Sequence, residues 1–260
     1  MRLVTWNILH GGGTRRTPLI ALRLCDLAPD LVVLTEFRRT TGGQIAGVLF
    51  DRGLVHQRST DPPPGRNGVF VASRTPLGPG SPGPGAWAAH RWLDVCLPAL
   101  GATLTAIHAP DTHRSDPSRI QRQAAYWQHL VRVCASRKGS KHIIAGDLNT
   151  GRHGLDERGR TFTGTVFLGR ISTLGYRDAF RIGQPYAAAP TWHSHTGTGF
   201  RIDAIWVSGC LSGEVSGAFH DASARAMSES DHAPVVVDLG SRAAASGPGA
   251  GAAAQKTLEK

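Results

Sequence analysis

The sequence predicts an α/β fold carried by one domain over residues 1–240. Three observations lead there. Short apolar runs of strand type recur along the chain, and segments with helical spacing fall between them. The length also suffices for one large core, since a domain of this size buries about three quarters of the surface of its unfolded chain.

Residues 2–8 have strand character, and the Gly11-Gly12-Gly13 run ends them. Residues 18–27, from Pro18, are predicted helical, with Leu19, Leu22, Leu24 and Leu27 forming a partial stripe. Pro29-Asp30 then turns the chain into residues 31–35, a continuous apolar run typical of strands buried on both faces. Residues 68–73 and 103–108 are strands of the same kind, and 92–97 a weaker one. The segment PLGPGSPGPG at 76–85 is too rich in Gly and Pro for regular structure and is expected as a surface loop. Asp116-Pro117 joins an N-cap residue to proline at the first helical position. Behind it Ile120, Ala124, Trp127, Val131 and Cys134 keep helical spacing to about Ala135. Residues 141–145 are a strand leading into Gly146-Asp147-Leu148-Asn149, and 167–174 are expected as a short helix. Residues 201–207 and 234–239 are the last strands. The Ala/Gly-rich tail at 241–260 carries no hydrophobic pattern and is expected to be disordered.

Composition excludes several classes. With 40% hydrophobic and 18% charged residues the chain belongs among ordinary globular proteins. Gly and Pro together number 48 of 260, below the roughly 25–30% that marks a low-complexity chain. No apolar run approaches the roughly 18 residues needed to span a bilayer, so no membrane association is expected. Polar Thr5, Asn7 and His10 interrupt the only apolar start, which argues against a signal peptide. Cys25, Cys96, Cys134 and Cys210 form no CxxC pair and are expected as buried small hydrophobes in a reducing, cytoplasmic compartment. Nothing indicates an obligatory protein partner, so a monomer is expected. The net charge is +10, and 25 of the 29 basic residues are Arg. Such an excess fits a phosphate-bearing partner, or equally the composition of a GC-rich genome.

Six polar positions sit at strand ends, where a rigid sheet can aim side chains into a common cleft. They are Asn7 after LVTW, Glu36 after LVVLT, His108 after TLTAI, Asp147 with Asn149 after HIIAG, Asp203 within FRIDAIWV, and Asp231-His232 before APVVV. Singly each has the look of a turn or cap residue; together their chemistry is coherent. Glu36 and the aspartates are hard oxygen ligands suited to Mg2+ or Mn2+. Asn7 and Asn149 can donate amide hydrogens to a phosphate. His232, with Asp203 to orient it, supplies a base for activating water. Metal, phosphate donors and a base with its orienter amount to phosphate-ester hydrolysis.

The ordered set WNI (Trp6–Ile8), LTE (Leu34–Glu36), GDLN (Gly146–Asn149), RID (Arg201–Asp203) and SDH (Ser230–His232) resembles the endonuclease/exonuclease/phosphatase superfamily over residues 2–239. That superfamily includes DNase I, exonuclease III-type AP endonucleases, and inositol-phosphate and sphingomyelin phosphodiesterases. The resemblance implies a four-layered α/β sandwich, two mixed sheets face to face with helices outside. It implies Glu36 as principal metal ligand, with Asn7 in support and Asp231 as a further metal-side carboxylate. Asp147 and Asn149 would hold the attacking water and the scissile phosphate. His232 would lie beside the phosphate, held by Asp203, with the base either that histidine or the aspartate. His108 stands where DNase I-like members have a histidine and AP endonucleases a tyrosine, which makes it the candidate general acid.

The expected reaction is in-line attack of water on a phosphodiester, with DNA as the leading substrate and Mg2+ or Mn2+ as cofactor. The segment LGYRDAFR…TWHSHTGTGFRIDAIWVS is closer to the exonuclease III-type branch than to the lipid phosphodiesterases. By that resemblance Phe200 and Ile202 would line a pocket for a flipped-out sugar; as alternating apolar residues on a strand they would equally be core. By the same resemblance Asn67 would lie near the cleft rim, and a turn-forming role explains it equally well; Asp111 and His113 are expected at the cleft or merely at the surface. Arg15 and Arg16 are candidate phosphate contacts, Trp192 is expected to pack in the core, and Asp178 to cap or pair structurally. Leu9, His108 and Asp111 depart from the AP-endonuclease pattern, which puts abasic-site specificity in doubt. The alternatives are a small-molecule or lipid phosphatase of the same fold and a non-catalytic nucleic-acid-binding module.

Overall fold

The structure, a computed structural model, describes residues 1–111 and 116–240; His113 and the expected tail at 241–260 lie outside the described residues. The first half runs β1 (Arg2–Asn7), α1 (Gly13–Leu27), β2 (Leu31–Phe37), α2 (Arg39–Asp51), β3 (His56–Ser59) and β4 (Gly68–Ser73). After the edge strand β5 (Gly78–Pro79) come β6 (Trp92–Leu97), β7 (Ala102–His108), α3 (Pro117–Ser136), β8 (Lys141–Asp147), α4 (Thr165–Thr173), β9 (Arg177–Asp178) and α5 (Ala179–Gly183). The chain ends in the short pair β10 (Trp192–His193) and β11 (Gly199–Phe200), then β12 (Asp203–Val207), α6 (Gly209–Ser212), β13 (Val215–His220), α7 (Ala222–Ala226) and β14 (Val235–Leu239).

Two six-stranded sheets result, ordered β13-β14-β1-β2-β4-β3 and β5-β6-β7-β8-β12-β9. Each has one parallel pair, β1 with β2 and β7 with β8. Parallel neighbours need a long crossover, and α1 and α3 provide it. The pleat then sorts side chains into three cores. Leu3, Val33, Val71, Leu104, Ile143, Ile205 and Val237 meet between the sheets. Val4, Trp6, Val32, Leu34 and Phe70 pack outward against Ile20, Leu24, Ile45 and Leu49 of α1 and α2. On the opposite side Trp92, Ile107, Ile144 and Trp206 pack against Trp127, Leu130 and Phe167 of α3 and α4. Helix, sheet, sheet, helix is the four-layered sandwich expected.

Several local expectations need correction. Helix α1 begins five residues before Pro18, and its buried stripe is Thr17, Ile20, Ala21, Leu24 and Leu27; Leu19 and Leu22 face solvent. Along α3 the buried face is Gln123, Tyr126, Trp127, Leu130 and Cys134, leaving Ile120 exposed and Ala124 and Val131 at its margin. Helix α2 was not expected, because Gly42, Gly43 and Gly47 each cost about 1 kcal/mol in a helix. Burial of Ile45 and Leu49, worth about 1.5–3 kcal/mol each, offsets that cost, and Gly42 lets the ring of Phe37 lie where a Cβ would stand. Within the proline-rich segment, Gly78 and Pro79 pair with Cys96 and Val95 as an edge strand, a position where proline is tolerated. Of the cysteines, all free, only Cys134 is buried; Cys25 and Cys96 are half-buried and Cys210 is exposed. Among the described residues no helix is long and apolar enough to cross a membrane.

Candidate active site

Alternation along the strands builds the site. In β8, Ile143 and Ala145 point into the intersheet core, so Asp147 faces inward at the strand end. The same period carries His108 at the end of β7 and Asp203 at the start of β12 to that face. Register completes the row, because His108 pairs with Asp147 and Asp147 with Asp203. Gly146 makes this approach possible: its φ is +142°, and a Cβ there would lie 1.8 Å from the Ile107 carbonyl oxygen. From the facing sheet the Asn7 amide reaches across, donating from Nδ2 to Asp147 Oδ2 at 3.0 Å and to Glu36 Oε1 at 3.4 Å. Its own Oδ1 accepts from the Leu9 N–H at 3.0 Å.

Glu36 arrives by a different device. Strict alternation with Val32 and Leu34 would turn it toward the helix-covered face. A register shift in the β2–β4 ladder at Thr35/Phe37 and a φ of +55° at Glu36 re-aim it into the cleft. There Oε2 accepts from the His10 N–H at 2.9 Å and lies 2.7 Å from His10 Nδ1. Leu9, His10, Glu36 and Asn149 all hold positive φ and all cluster here. Such conformations cost on the order of 1–3 kcal/mol each and persist where surrounding structure enforces them.

His232 Nδ1 lies 2.7 Å from Asp203 Oδ2, and both side chains are buried. The main chain of His232 is fixed from both ends: its carbonyl accepts from the Trp6 indole and its N–H donates to Ser230 Oγ. Asp231 Oδ2 accepts from the Trp192 indole at 3.1 Å. Asn149 donates from Nδ2 to the Ala109 carbonyl, and its main-chain N–H to Asp147 Oδ1.

Electrostatics separates the titratable groups. Burial, with the neighbouring Asp203 charge, raises the Asp147 carboxyl above the usual range, against the opposing pull of His232. Burial alone would discharge His232, but the Asp203 carboxylate on its Nδ1 outweighs this, with Asp147 and Asp231 adding, and its pKa is raised to about 9. His108 goes the other way. Burial lowers its pKa well below the ordinary value, and Arg91 and His232 lower it further. Its Nε2 lies 3.7 Å from Asp147 Oδ2.

One open cavity of about 850 Å³ is lined by Asn7, Glu36, Asn67, His108, Asp111, Asp147, Asn149, Phe200, Ile202, Asp231 and His232. Asp203 is the one expected site residue behind this wall, supporting His232. Arg16 does not line this cavity; its guanidinium donates from Nε to the Gly12 carbonyl and from Nη2 to the Leu9 carbonyl. Asp178 caps α5 and pairs with Arg201 at 2.7 Å, a structural part as expected. Trp192 is not core: half-buried, it lines the cavity, and its ring lies tilted against Phe200 with centroids 5.7 Å apart. The sequence reading missed His10, Arg91, Thr161 and Phe162, which also line the cavity. No motif marks them, although His10 lies three residues beyond Asn7.

A mixed two-sheet sandwich with carboxylates, an Asp–His pair and two asparagines at one edge defines a class. The sequence matches the Endonuclease/Exonuclease/phosphatase family over residues 4–232, and the chain belongs to that family. No curated protein matches the sequence. Among solved structures the fold is similar to a 3′-5′ exonuclease (NExo) from Neisseria meningitidis, at 21% identity and TM-score 0.78, covering 92% of this chain and 100% of that one. It is similar to an AP endonuclease from Archaeoglobus fulgidus at 19% identity and TM-score 0.79, covering 92% and 99%. A Neisseria 3′ phosphatase bound to a product DNA hairpin matches at 21% identity and TM-score 0.76, covering 92% and 99%.

Proposed function

We propose that this protein is a divalent-metal-dependent nuclease that hydrolyses DNA phosphodiesters by in-line attack of water. The observation that carries the reading is the meeting of two sheets at one cavity: His108, Asp147 and Asp203 in register on one, Asn7 and the re-aimed Glu36 on the other. The similar structures, an exonuclease, an AP endonuclease and a DNA-bound 3′ phosphatase, support DNA as substrate.

The donor chemistry fits Mg2+ or Mn2+. Ligand atoms of Asp147, Asp203 and His232 lie within 4.8 Å of one another, but Asp203 and His232 already satisfy each other by a hydrogen bond. The carboxylates that line the cavity outside that pair are those of Glu36, Asp111, Asp147 and Asp231; of these Glu36 and Asp231 would hold the ion, which leaves Asp147 to the attacking water. Asn7 turns N–H groups toward Glu36 and Asp147 and so positions both carboxylates. When bound, the metal supplies charge neutralisation on the phosphate and leaving oxygens. The Asp147 carboxylate, made more basic by burial, takes the proton from the attacking water, and Asn149, anchored on Ala109, orients that water. Charged His232 hydrogen-bonds a phosphate oxygen through Nε2, and neutral His108 donates a second such bond.

A metal panel of Mg2+, Mn2+, Ca2+ and EDTA on plasmid, linear duplex, single-stranded and abasic-site DNA, beside an inositol phosphate and sphingomyelin, tests the reading. Hydrolysis of DNA with Mg2+ or Mn2+ is expected, and Glu36→Ala lowers it by about two to three orders of magnitude, the loss typical of deleting one preorganised electrostatic partner. Mg2+ raises the melting temperature of wild type and not of Glu36→Ala. Cleavage of the small phosphoesters alone would replace DNA as the substrate.

A further inference from the structure

Beside the catalytic cavity lies a second one of about 800 Å³, and Arg91 and Asp111 line both, so the two form one continuous groove. Its floor is the 3-10 turn Ala86–Arg91, which exposes the ring of Trp87 to 42%. An exposed tryptophan on a loop ordinarily moves; this one is braced. Its ring meets the edge of Tyr126 at 6.4 Å, and the Tyr126 hydroxyl donates to the Arg91 carbonyl at 2.7 Å. Tyr126 is itself fully buried against Trp92. One face-bearing ring is therefore held in place at the groove surface at little entropic cost.

Around it stand Arg66, Arg119 and Arg122, drawn from two further segments of the chain. Arg119 pairs with Asp116. Among the described residues neither Arg66 nor Arg122 has a carboxylate within ion-pair distance. The groove also contains Asp61 and Asp111, and Asp61 lies 3.8 Å from Arg39 outside it. Cationic side chains beside a fixed aromatic face are the combination that binds single-stranded nucleic acid, with bases stacking and phosphates tracking the charges. A base inside a duplex has both faces covered by its stacked neighbours, whereas an unpaired one can turn a face to the ring.

We propose that this groove is a subsite for an unpaired stretch of the DNA strand, with one base stacked on Trp87 and flanking phosphates held by Arg66 and Arg122. The proposal rests on the nuclease reading for its adjacency to the scissile phosphate, and it makes the enzyme prefer single-stranded or frayed ends over fully paired ones.

Binding of a fluorescein-labelled oligothymidylate and of a blunt hairpin, followed by anisotropy in EDTA, tests it without cleavage. Trp87→Ala weakens the single strand by about fivefold or more, the low end of one base–aromatic stack, and weakens the hairpin less. Trp87→Phe restores most of the loss, and Tyr186→Ala, which removes an exposed aromatic elsewhere, changes nothing. Arg66→Ala/Arg122→Ala, an exposed pair safe for folding, reduces the salt slope on the single strand by about 1.4. Absence of single-strand binding by wild type, a Trp87→Ala affinity within twofold of wild type, or equal losses on strand and hairpin overturns the proposal. If Trp87-dependent binding is found but no DNA is cleaved in the metal panel, the nuclease reading fails and the groove stands. If DNA is cleaved without Trp87 dependence, the groove alone fails.

Discussion

His232 and His108 share one cavity, yet their pKa values are pushed in opposite directions, and the difference lies in single contacts. Both are buried, but only His232 has a carboxylate within hydrogen-bond distance; among the described residues His108 Nδ1 has no hydrogen-bond partner, and its Nε2 stands 3.7 Å from Asp147 Oδ2. A buried imidazole with no carboxylate in hydrogen-bond contact is pushed toward its neutral form, whereas one bonded to Asp203 is held charged. This difference has a consequence for stability. The folded pKa of His232, about 9, lies above the ordinary 6.5. Its contribution is therefore fully present below pH 6.5 and is lost as pH rises through 9, a change of about 3 kcal/mol for a shift of this size. Chemical denaturation in EDTA should show wild type and His232→Gln furthest apart at pH 6 and converging toward pH 9.5. A constant gap across that range would mean that Asp203 does not hold a charged imidazole.

At the level of elements, what could be foreseen follows from what a strand or helix advertises locally. Continuous apolar runs marked β2, β4 and β7, and the Asp116-Pro117 start of α3 coincides with the observed cap, where Asp116 accepts from the Ser118 and Arg119 N–H groups. Glu36 was expected in the cleft from its place at a strand end, but the register shift and positive φ that turn it there were not legible, since a bulge that overrides alternation leaves no trace in the residues around it. Helix α2 was hidden because tertiary burial of two side chains outweighs three glycines. Trp192 was misread because its indole satisfies Asp231 at the cavity wall, a partner 39 residues away. The Arg201 of RID shows a further element-scale device. It is buried between Asp178, at the junction of β9 and α5, and Asp156. Burial would discharge it, but these two carboxylates hold its pKa raised, which locks β12 to α5 behind the site. Asp178→Ala leaves a buried guanidinium short of its partner and should cost about 3–5 kcal/mol, read as a fall in denaturation midpoint at unchanged slope. Its effect on kcat should be indirect, through β12 and Asp203. A loss below about 1 kcal/mol would place Arg201 in the range of an exposed pair instead.

For the whole molecule the question is where the surplus of ten positive charges goes. Many arginines are consumed internally: Arg2 by Asp238, Arg23 by Glu229 and Asp221, Arg137 by Asp94, Arg181 by Asp156. These pairs stitch strands and helices together and leave little field outside. Arg91, by contrast, lines both cavities of the groove and directs its guanidinium toward the His108 carbonyl at 3.4 Å, with no carboxylate partner among the described residues. Arginines paired in this way cancel their carboxylates and add nothing to the net charge, whereas Arg91 and its groove neighbours Arg66 and Arg122 add to it, and salt separates the two kinds. Affinity for a single strand should fall linearly with salt on logarithmic axes, and each lost phosphate contact flattens the slope by about 0.7. Arg91→Gln should flatten it by that amount. Arg2→Gln, which removes the same charge from a pair on β1 and β14, should lower the melting temperature and leave the slope where it was. Equal flattening by both variants would show that the arginines act as a diffuse field spread over the surface, and the excess charge would then reflect composition and not a footprint for DNA.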